Sequence, residues 1–334
     1  MDWQKRIEEL AGGYQDAAIL LSALRCGLFD VMDDVPRPPR ELAAALELDP
    51  RAVDAVLHAM AALGVVEKSG DGFTLPADRA AVLRRDGAAS RGAILRHHQG
   101  LLQRWAHLDE VLRTGRPRSR DREDPEQVRD YIGGMADIQR QVMPQIAAAV
   151  DLGGARSLLD LGGGPGTAAI HFALAHPELR CTVFDQAGPL AIAREFIAGA
   201  GVQDRVALLE GDFLADPLPV GFDAAYLSNI IHIYGETEVA ALFRKVHGAL
   251  APGGLVLVKD FYLDDDRTAP LFAARFAVNM LVGTETGTAH VASRVRAMLV
   301  ESGFGLDGEV PVGGHSTILR ARRVDGVAIG EETS

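Results

Sequence analysis

Cysteine is nearly absent: two residues in 334, Cys26 and Cys181, each inside an apolar segment and far from the other. Two thiols without metal-ligand or redox spacing exclude a disulfide scaffold and a zinc framework, and point to a reducing, cytoplasmic setting. Positive charge is also short, with 34 Lys and Arg against 46 Asp and Glu and a net charge of −12. That balance argues against a nucleic-acid partner, because phosphate binding needs clustered cations. No apolar run reaches the ~20 residues of a membrane span. The first residues, Met1 to Glu9, are charged and show no apolar core of a signal peptide. Apolar residues, by contrast, make up 48% of the chain, ample for packed cores. The length suggests two domains at about 150 residues each.

The most informative stretch is Leu158-Leu159-Asp160-Leu161-Gly162-Gly163-Gly164-Pro165-Gly166-Thr167. A short apolar run ends in a glycine cluster and opens a helical segment, Ala168 to Ala175. Glycine lets the backbone approach a ligand, since no Cβ intervenes and positive φ is allowed. Such a turn can cradle a phosphate at a helix N-terminus or be only a tight strand-to-helix connection. The dinucleotide spacing fits poorly, because its third glycine would fall on Thr167. Further strands follow: Arg180 to Asp185 ends in an acid, Val206 to Phe213 ends in Gly-Asp-Phe, and Phe222 to Leu227 comes next. Leu255 to Asp260 follows the turn Ala251-Pro252-Gly253-Gly254. A carboxylate ending the second of these strands suits a ribose. An Asp followed by Phe after the third suits an exocyclic amine and a purine face.

In this order the motifs resemble the class I S-adenosylmethionine (SAM)-dependent methyltransferases over about residues 155–323. The resemblance implies an α/β fold, a Rossmann-like domain with a doubly wound, mostly parallel, seven-stranded sheet. It implies SAM as cofactor, S-adenosylhomocysteine (SAH) as product, and no metal. Gly162 and Gly164 would line the methionine end, Asp185 the ribose, and Asp212 with Phe213 the adenine.

The first third reads differently. Ala17 to Met32 is expected to be a buried helix and Arg40 to Leu46 a short one. Asp49-Pro50 is an N-cap with proline at the first helical position. The helix it opens carries Val53, Val56, Leu57, Met60 and Leu63 at the spacing of a buried face. Gly64 to Lys68 and Phe73 to Leu75 flank Ser69-Gly70-Asp71-Gly72, a hairpin signal. Helices followed by a hairpin make a winged-helix pattern. The outer face of its third helix offers only Arg51, Asp54, His58 and Ala61, too little base-reading chemistry for a DNA groove. Leu24-Arg25-Cys26-Gly27-Leu28-Phe29-Asp30 and Ala62-Leu63-Gly64-Val65-Val66 instead resemble the dimerisation domain of small-molecule O-methyltransferases. That family includes the plant caffeic acid enzymes and bacterial polyketide-tailoring enzymes. It implies a homodimer through this domain, with a partner chain able to line the pocket. The expected organisation is a winged-helix dimerisation domain over 1–112, a linker and connecting helices over 113–150, and a SAM-binding domain over 151–323. A disordered tail over 324–334 completes it. Within the connection, Arg113 to Asp130 is expected to be an exposed loop and Tyr131 to Val150 a helix.

For chemistry the family implies a histidine base. A phenol has a pKa near 10 by analogy with Tyr, so a base against the hydroxyl supplies the anion. Leu227-Ser228-Asn229-Ile230-Ile231-His232-Ile233-Tyr234 is similar to the family's base motif, with Asn229 and His232 matching and Ile233 replacing an Asp. Asp260 fits the first acidic support. The second falls by spacing on Ala289, with Glu285 four residues earlier and His290 adjacent. The alternative for His232 is a pocket wall, with transfer driven by proximity. Trp105, Met135, Asn279 and Met280 are the expected acceptor contacts, Met being suited to flat ligands. His97 and His98 lack companions at metal-ligand spacing. The function expected is methyl transfer to a hydroxyl of a small aromatic or polyketide-like molecule. C- or N-methylation, a SAM-binding relative with other chemistry, and a SAM-sensing winged-helix regulator stand as alternatives.

Overall fold

The structure, a computed structural model, describes residues 1–117, 125–313 and 315–325, with side chains over 125–130 left aside. The tail beyond Asp325 lies outside the described residues. The chain packs as two compact units, Met1–Gln103 and Arg104–Ser334.

The first unit is helical with one hairpin. Its helices are α1 (Trp3–Gly12), α2 (Tyr14–Arg25), α3 (Pro39–Ala45), α4 (Pro50–Ala62), α5 (Ala77–Leu83) and α6 (Gly92–Trp105), the last running two residues beyond the unit. The long helix expected over 17–32 stops at Arg25, because Gly27 turns left-handed (φ 76°) and the chain continues as a 3₁₀ turn, Leu28–Val31. Asp49 caps α4 by accepting from the Ala52 N–H at 2.8 Å, ahead of Pro50. Val53, Leu57 and Met60 of α4 are buried, whereas Leu63 just beyond it is exposed. Strands β1 (Glu67–Ser69) and β2 (Gly72–Thr74) pair antiparallel around Gly70 and Asp71.

The second unit adds α7 (Leu108–Thr114) and α8 (Pro125–Ala149), so helix occupies both ends of the segment expected as a loop over 113–130. Pro125 opens α8, where a missing N–H is harmless. Then come β3 (Ser157–Leu161), α9 (Thr167–Ala175), β4 (Arg180–Asp185), α10 (Ala187–Gly199), β5 (Val206–Glu210), β6 (Phe222–Ser228) and α11 (Glu236–Ala249). The chain closes with β7 (Leu250–Asp260), α12 (Leu271–Leu281), α13 (Ala292–Glu301), β8 (Phe304–Val312) and β9 (Ser316–Arg323). The sheet order is β5-β4-β3-β6-β7-β9-β8, parallel except where β9 runs antiparallel to β7 and β8. This is the expected seven-stranded, mostly parallel, doubly wound sheet. β7 begins earlier than expected: Leu250 already pairs with Phe222, and the 251–254 turn is a bulge within the strand.

Both faces of the sheet are covered, which is why its strands read as apolar runs. Leu158, Val183, Tyr226 and Leu257 pack with Met143 of α8 and Phe172 of α9 on one face. Leu161, Leu227, Val256 and Val258 pack with Phe243 of α11 and Met298 of α13 on the other. Strand order reverses between β3 and β6, so loops leaving their carboxyl ends diverge and open a crevice, the place where such sheets bind ligands.

Candidate functional site

The glycine turn follows β3 at that crevice. Gly162 (φ 65°) and Gly164 (φ 54°) are left-handed. A Cβ on Gly162 would lie 2.8 Å from Ile230 Cγ2 and 3.3 Å from Phe213 Cε1, so the ring and the aliphatic chain close against bare backbone. A Cβ on Gly164 would meet nothing within 4 Å, so that side of the turn is open. Asp185, at the end of β4, faces the same turn. Its Oδ2 accepts the Gly164 N–H at 2.8 Å and its Oδ1 the Gln186 N–H at 2.7 Å. Each oxygen keeps a lone pair for a diol, and burial raises the carboxyl pKa. Asp212 is exposed, and its Oδ1 accepts the N–H of Leu214 (2.8 Å) and Ala215 (3.3 Å), capping the turn after β5. Lys245 of α11 fastens that turn by donating to the carbonyls of Phe213 (2.6 Å), Leu214 (2.9 Å) and Asp216 (2.6 Å). An open left-handed cradle, a carboxylate with spare lone pairs and a Phe edge fit a nucleoside with an amino-acid tail.

Beneath the turn lies an acid that the sequence reading passed over. Asp160 is 1% exposed. Its Oδ2 accepts the Ala169 N–H of α9 at 3.2 Å, and burial pushes its pKa up to about 7. Its signal in the sequence was a carboxylate in the middle of an otherwise apolar strand.

His232 sits on a 3₁₀ turn, Ile231–Ile233, after β6 and is buried. Its Nδ1 is 2.8 Å from Asp260 Oδ1 at the end of β7. The same oxygen accepts the Phe261 N–H at 2.8 Å, which fixes the carboxylate and through it the imidazole. With Nδ1 donating to Asp260, Nε2 is the acceptor nitrogen. The Phe276 ring stands edge-on to the imidazole, centroids 4.7 Å apart, and Phe261 stacks at 6.4 Å. Glu285 stands exposed, and no hydrogen bond or ion pair joins it to His232. Ala289, where spacing put the second acid, is buried and packs with Leu263 and Ala273. His290, next to Ala289, serves the turn that carries the imidazole. It is buried, and its Nε2 donates to the carbonyls of Ile231 (3.0 Å) and Tyr234 (3.1 Å), clasping the turn that carries His232. Thr288 N–H donates to the His232 carbonyl at 2.9 Å and Gly235 N–H to Thr286 Oγ1 at 3.1 Å.

Two of the expected acceptor contacts meet: Trp105 Nε1 donates to Asn279 Oδ1 at 3.1 Å. Met280 is buried beside Asn279 on α12, and Met135 is half-buried on α8. A second residue missed in the sequence is Lys259, buried next to Asp260, its Nζ 3.1 Å from Asn229 Oδ1. Among the described residues no group of three or more His, Cys, Asp and Glu is placed to hold a metal ion. No helix there is long and apolar enough to cross a membrane.

The sequence profile of the O-methyltransferase domain matches residues 110–305. The chain is 32% identical over 327 residues to the tetracenomycin polyketide synthesis 8-O-methyl transferase of Streptomyces glaucescens, covering 95% of this chain and 96% of that one. It is 32% identical to the 3-hydroxy-5-methyl-1-naphthoate 3-O-methyltransferase of Streptomyces sahachiroi, covering 83% of each. The crystal structure of human N-acetylserotonin methyltransferase in complex with SAM superposes with a TM-score of 0.87 at 21% identity, over 97% of this chain and 98% of that one, a likeness of fold.

Proposed function

Since the chain belongs to the O-methyltransferase domain family of SAM-dependent enzymes, we propose that it methylates a hydroxyl of a small aromatic or polyketide-like acceptor with His232 as base. The observation that carries the base assignment is the buried 2.8 Å bond between His232 Nδ1 and Asp260 Oδ1. The hydroxyls that two of its relatives methylate, on a polyketide and on a naphthoate, support the acceptor class.

In this reading Gly162 and Gly164 hold the methionine end of SAM, Asp185 the ribose, and Asp212 with Phe213 the adenine. SAM supplies an electrophilic methyl group. The chain's own task is to present the acceptor oxygen in line and remove its proton. His232 Nε2 takes the proton, and Asp260 stabilises the imidazolium that results while holding its tautomer. His290 and Thr288 keep the turn still, so the base does not drift from the oxygen. Trp105 and Asn279, joined by their hydrogen bond, form one wall of the acceptor pocket with Met280, and Met135 lies on α8. Phe276 and Phe261 keep water from the imidazole.

The protein is further proposed to act as a homodimer. Trp3, Ile7, Leu10 and Tyr14 on and just beyond α1 are each more than half exposed, and α1 buries no residue of its own. A second copy is the fitting cover for that stripe. We place the enzyme in the cytoplasm, in keeping with its unpaired cysteines.

Two variants test the reading. Asp185→Ala loses most of its SAM affinity in titration calorimetry; equal affinity removes Asp185 from the ribose. His232→Ala lowers kcat by about 10² or more with SAM binding intact; an unchanged rate removes His232 from the base role.

A further inference from the structure

Strand β7 ends in two ionisable residues that point to opposite faces of the sheet. Leu257 belongs to the face covered by α8 and α9, and Val258 to the other. Alternation therefore places Lys259 on the α8 face and Asp260 on the face where it meets His232. Lys259 pairs in register with Ser228, and the Asn229 N–H extends the ladder by donating to the Lys259 carbonyl at 2.9 Å. Asn229 is left-handed (φ 57°), which aims its side chain back at this strand end. Its Oδ1 accepts from Lys259 Nζ at 3.1 Å, and Nζ stands 5.7 Å over the Phe261 ring.

Lys259 is 3% exposed. An ammonium carries three N–H groups, and one is matched, by Asn229. No carboxylate among the described residues stands within ion-pairing distance of it. Burial lowers its pKa to about 8 against the pull of Asp260, so it is still a cation at neutral pH. Burying a cation without a counter-charge is strongly unfavourable. The arrangement becomes complete when an anion supplies the missing acceptor.

The next residue of β7, Asp260, holds the His232 imidazole at 2.8 Å. Met143 Sδ lies 3.8 Å from the Tyr226 hydroxyl in the middle of β6. Met135 lies eight residues earlier on the same helix, α8.

We propose that Lys259, held by Asn229, is an anion-binding residue of the transfer site, receiving an anionic oxygen of a ligand. Two ligands offer such an oxygen: the carboxylate of the cofactor's methionine end, and an acceptor bearing a carboxylate or acidic phenol. The strand position favours the acceptor. Lys259 lies on β7, two strands from the glycine turn of β3 and next to the residue that holds the base. The inference rests on the methyl-transfer reading and adds to it a charge requirement on the acceptor.

Calorimetry separates the sources. The wild type, Lys259→Met and Lys259→Gln are titrated with SAH and with 5′-methylthioadenosine, which lacks the carboxylate. With SAH bound they are titrated with 1-hydroxy-2-naphthoate and with 1-naphthol. The expected result is unchanged SAH affinity and a loss of about tenfold or more in the preference for hydroxynaphthoate over naphthol. A tenfold loss for SAH with methylthioadenosine unchanged also supports the proposal and assigns the anion to the cofactor. Unchanged SAH affinity with the wild-type ratio of the two naphthalenes overturns it. Gln keeps a donor for Asn229 and serves as the variant if Met fails to fold. Absence of SAH binding in the wild type overturns the methyl-transfer reading itself, and this inference with it.

Discussion

Asp160 makes the stability of the chain depend on pH in a way that one substitution removes. Its pKa is about 7 in the folded chain against an ordinary 3.8, the cause being burial. Between those values the folded state holds a proton that the unfolded chain has released. The native state then binds more protons, so stability falls as pH rises through the window and is lowest above pH 7. Three pKa units at about 1.4 kcal/mol each amount to about 4 kcal/mol. Asp160→Asn keeps an oxygen for the Ala169 N–H and abolishes the titration. Urea unfolding of both proteins without cofactor, from about pH 4 to pH 8, isolates the effect, because groups not coupled to Asp160 cancel in the difference and burial of Asp160 itself is the largest cause of its shift. The variant is expected to match the wild type near pH 4 to within about 1 kcal/mol and to gain on it steadily, by up to about 4 kcal/mol near pH 8. A difference that stays flat with pH refutes the reasoning.

Two further outcomes follow from single side chains that each make three hydrogen bonds. Lys245→Met frees the turn after β5 from three carbonyl bonds; stability should fall by about 1–2 kcal/mol, with SAM affinity falling several-fold by calorimetry. Asp223 Oδ2 accepts from Arg156 N, Ser157 N and Ser157 Oγ at 2.9–3.0 Å, and its pKa is lowered chiefly by the Arg156 N–H bond. Asp223→Ala should lower the urea midpoint, and the loss should shrink as pH drops through the carboxylate range, where the wild-type bonds weaken too.

What was legible in the sequence had a local cause. Asp49-Pro50 carries its own start signal and opens α4 as expected. Strands β3, β4 and β6 read as apolar runs because both faces are buried. The unread parts depend on distant neighbours. α2 has an unbroken apolar pattern, and what stops it is the left-handed Gly27. α8 starts at Pro125 inside a charged stretch that gave no apolar stripe. Asp160 and Lys259 look like ordinary charges until the sheet surrounds them. Spacing put the second acid on Ala289, with Glu285 four residues earlier, and could not say that Glu285 stands in solvent. The meeting of Trp105 and Asn279 joins residues 174 positions apart.

The middle residue of the three consecutive glycines has a consequence for how this chain can change. A Cβ on Gly163 would come within 2.6 Å of Asp160 Oδ2 and 2.9 Å of Val183 Cγ1. Alanine at 163 is thus barred while the acid and the valine stand, and trimming the acid alone leaves the Ala169 N–H without its acceptor. The two positions are epistatic. A lineage that puts a side chain at 163 must change the acid and Val183 with it, or pass through a form that is crowded or lacks an acceptor. Selection on the acid beneath the cradle and selection on the glycine above it are therefore one constraint, seen from two sites.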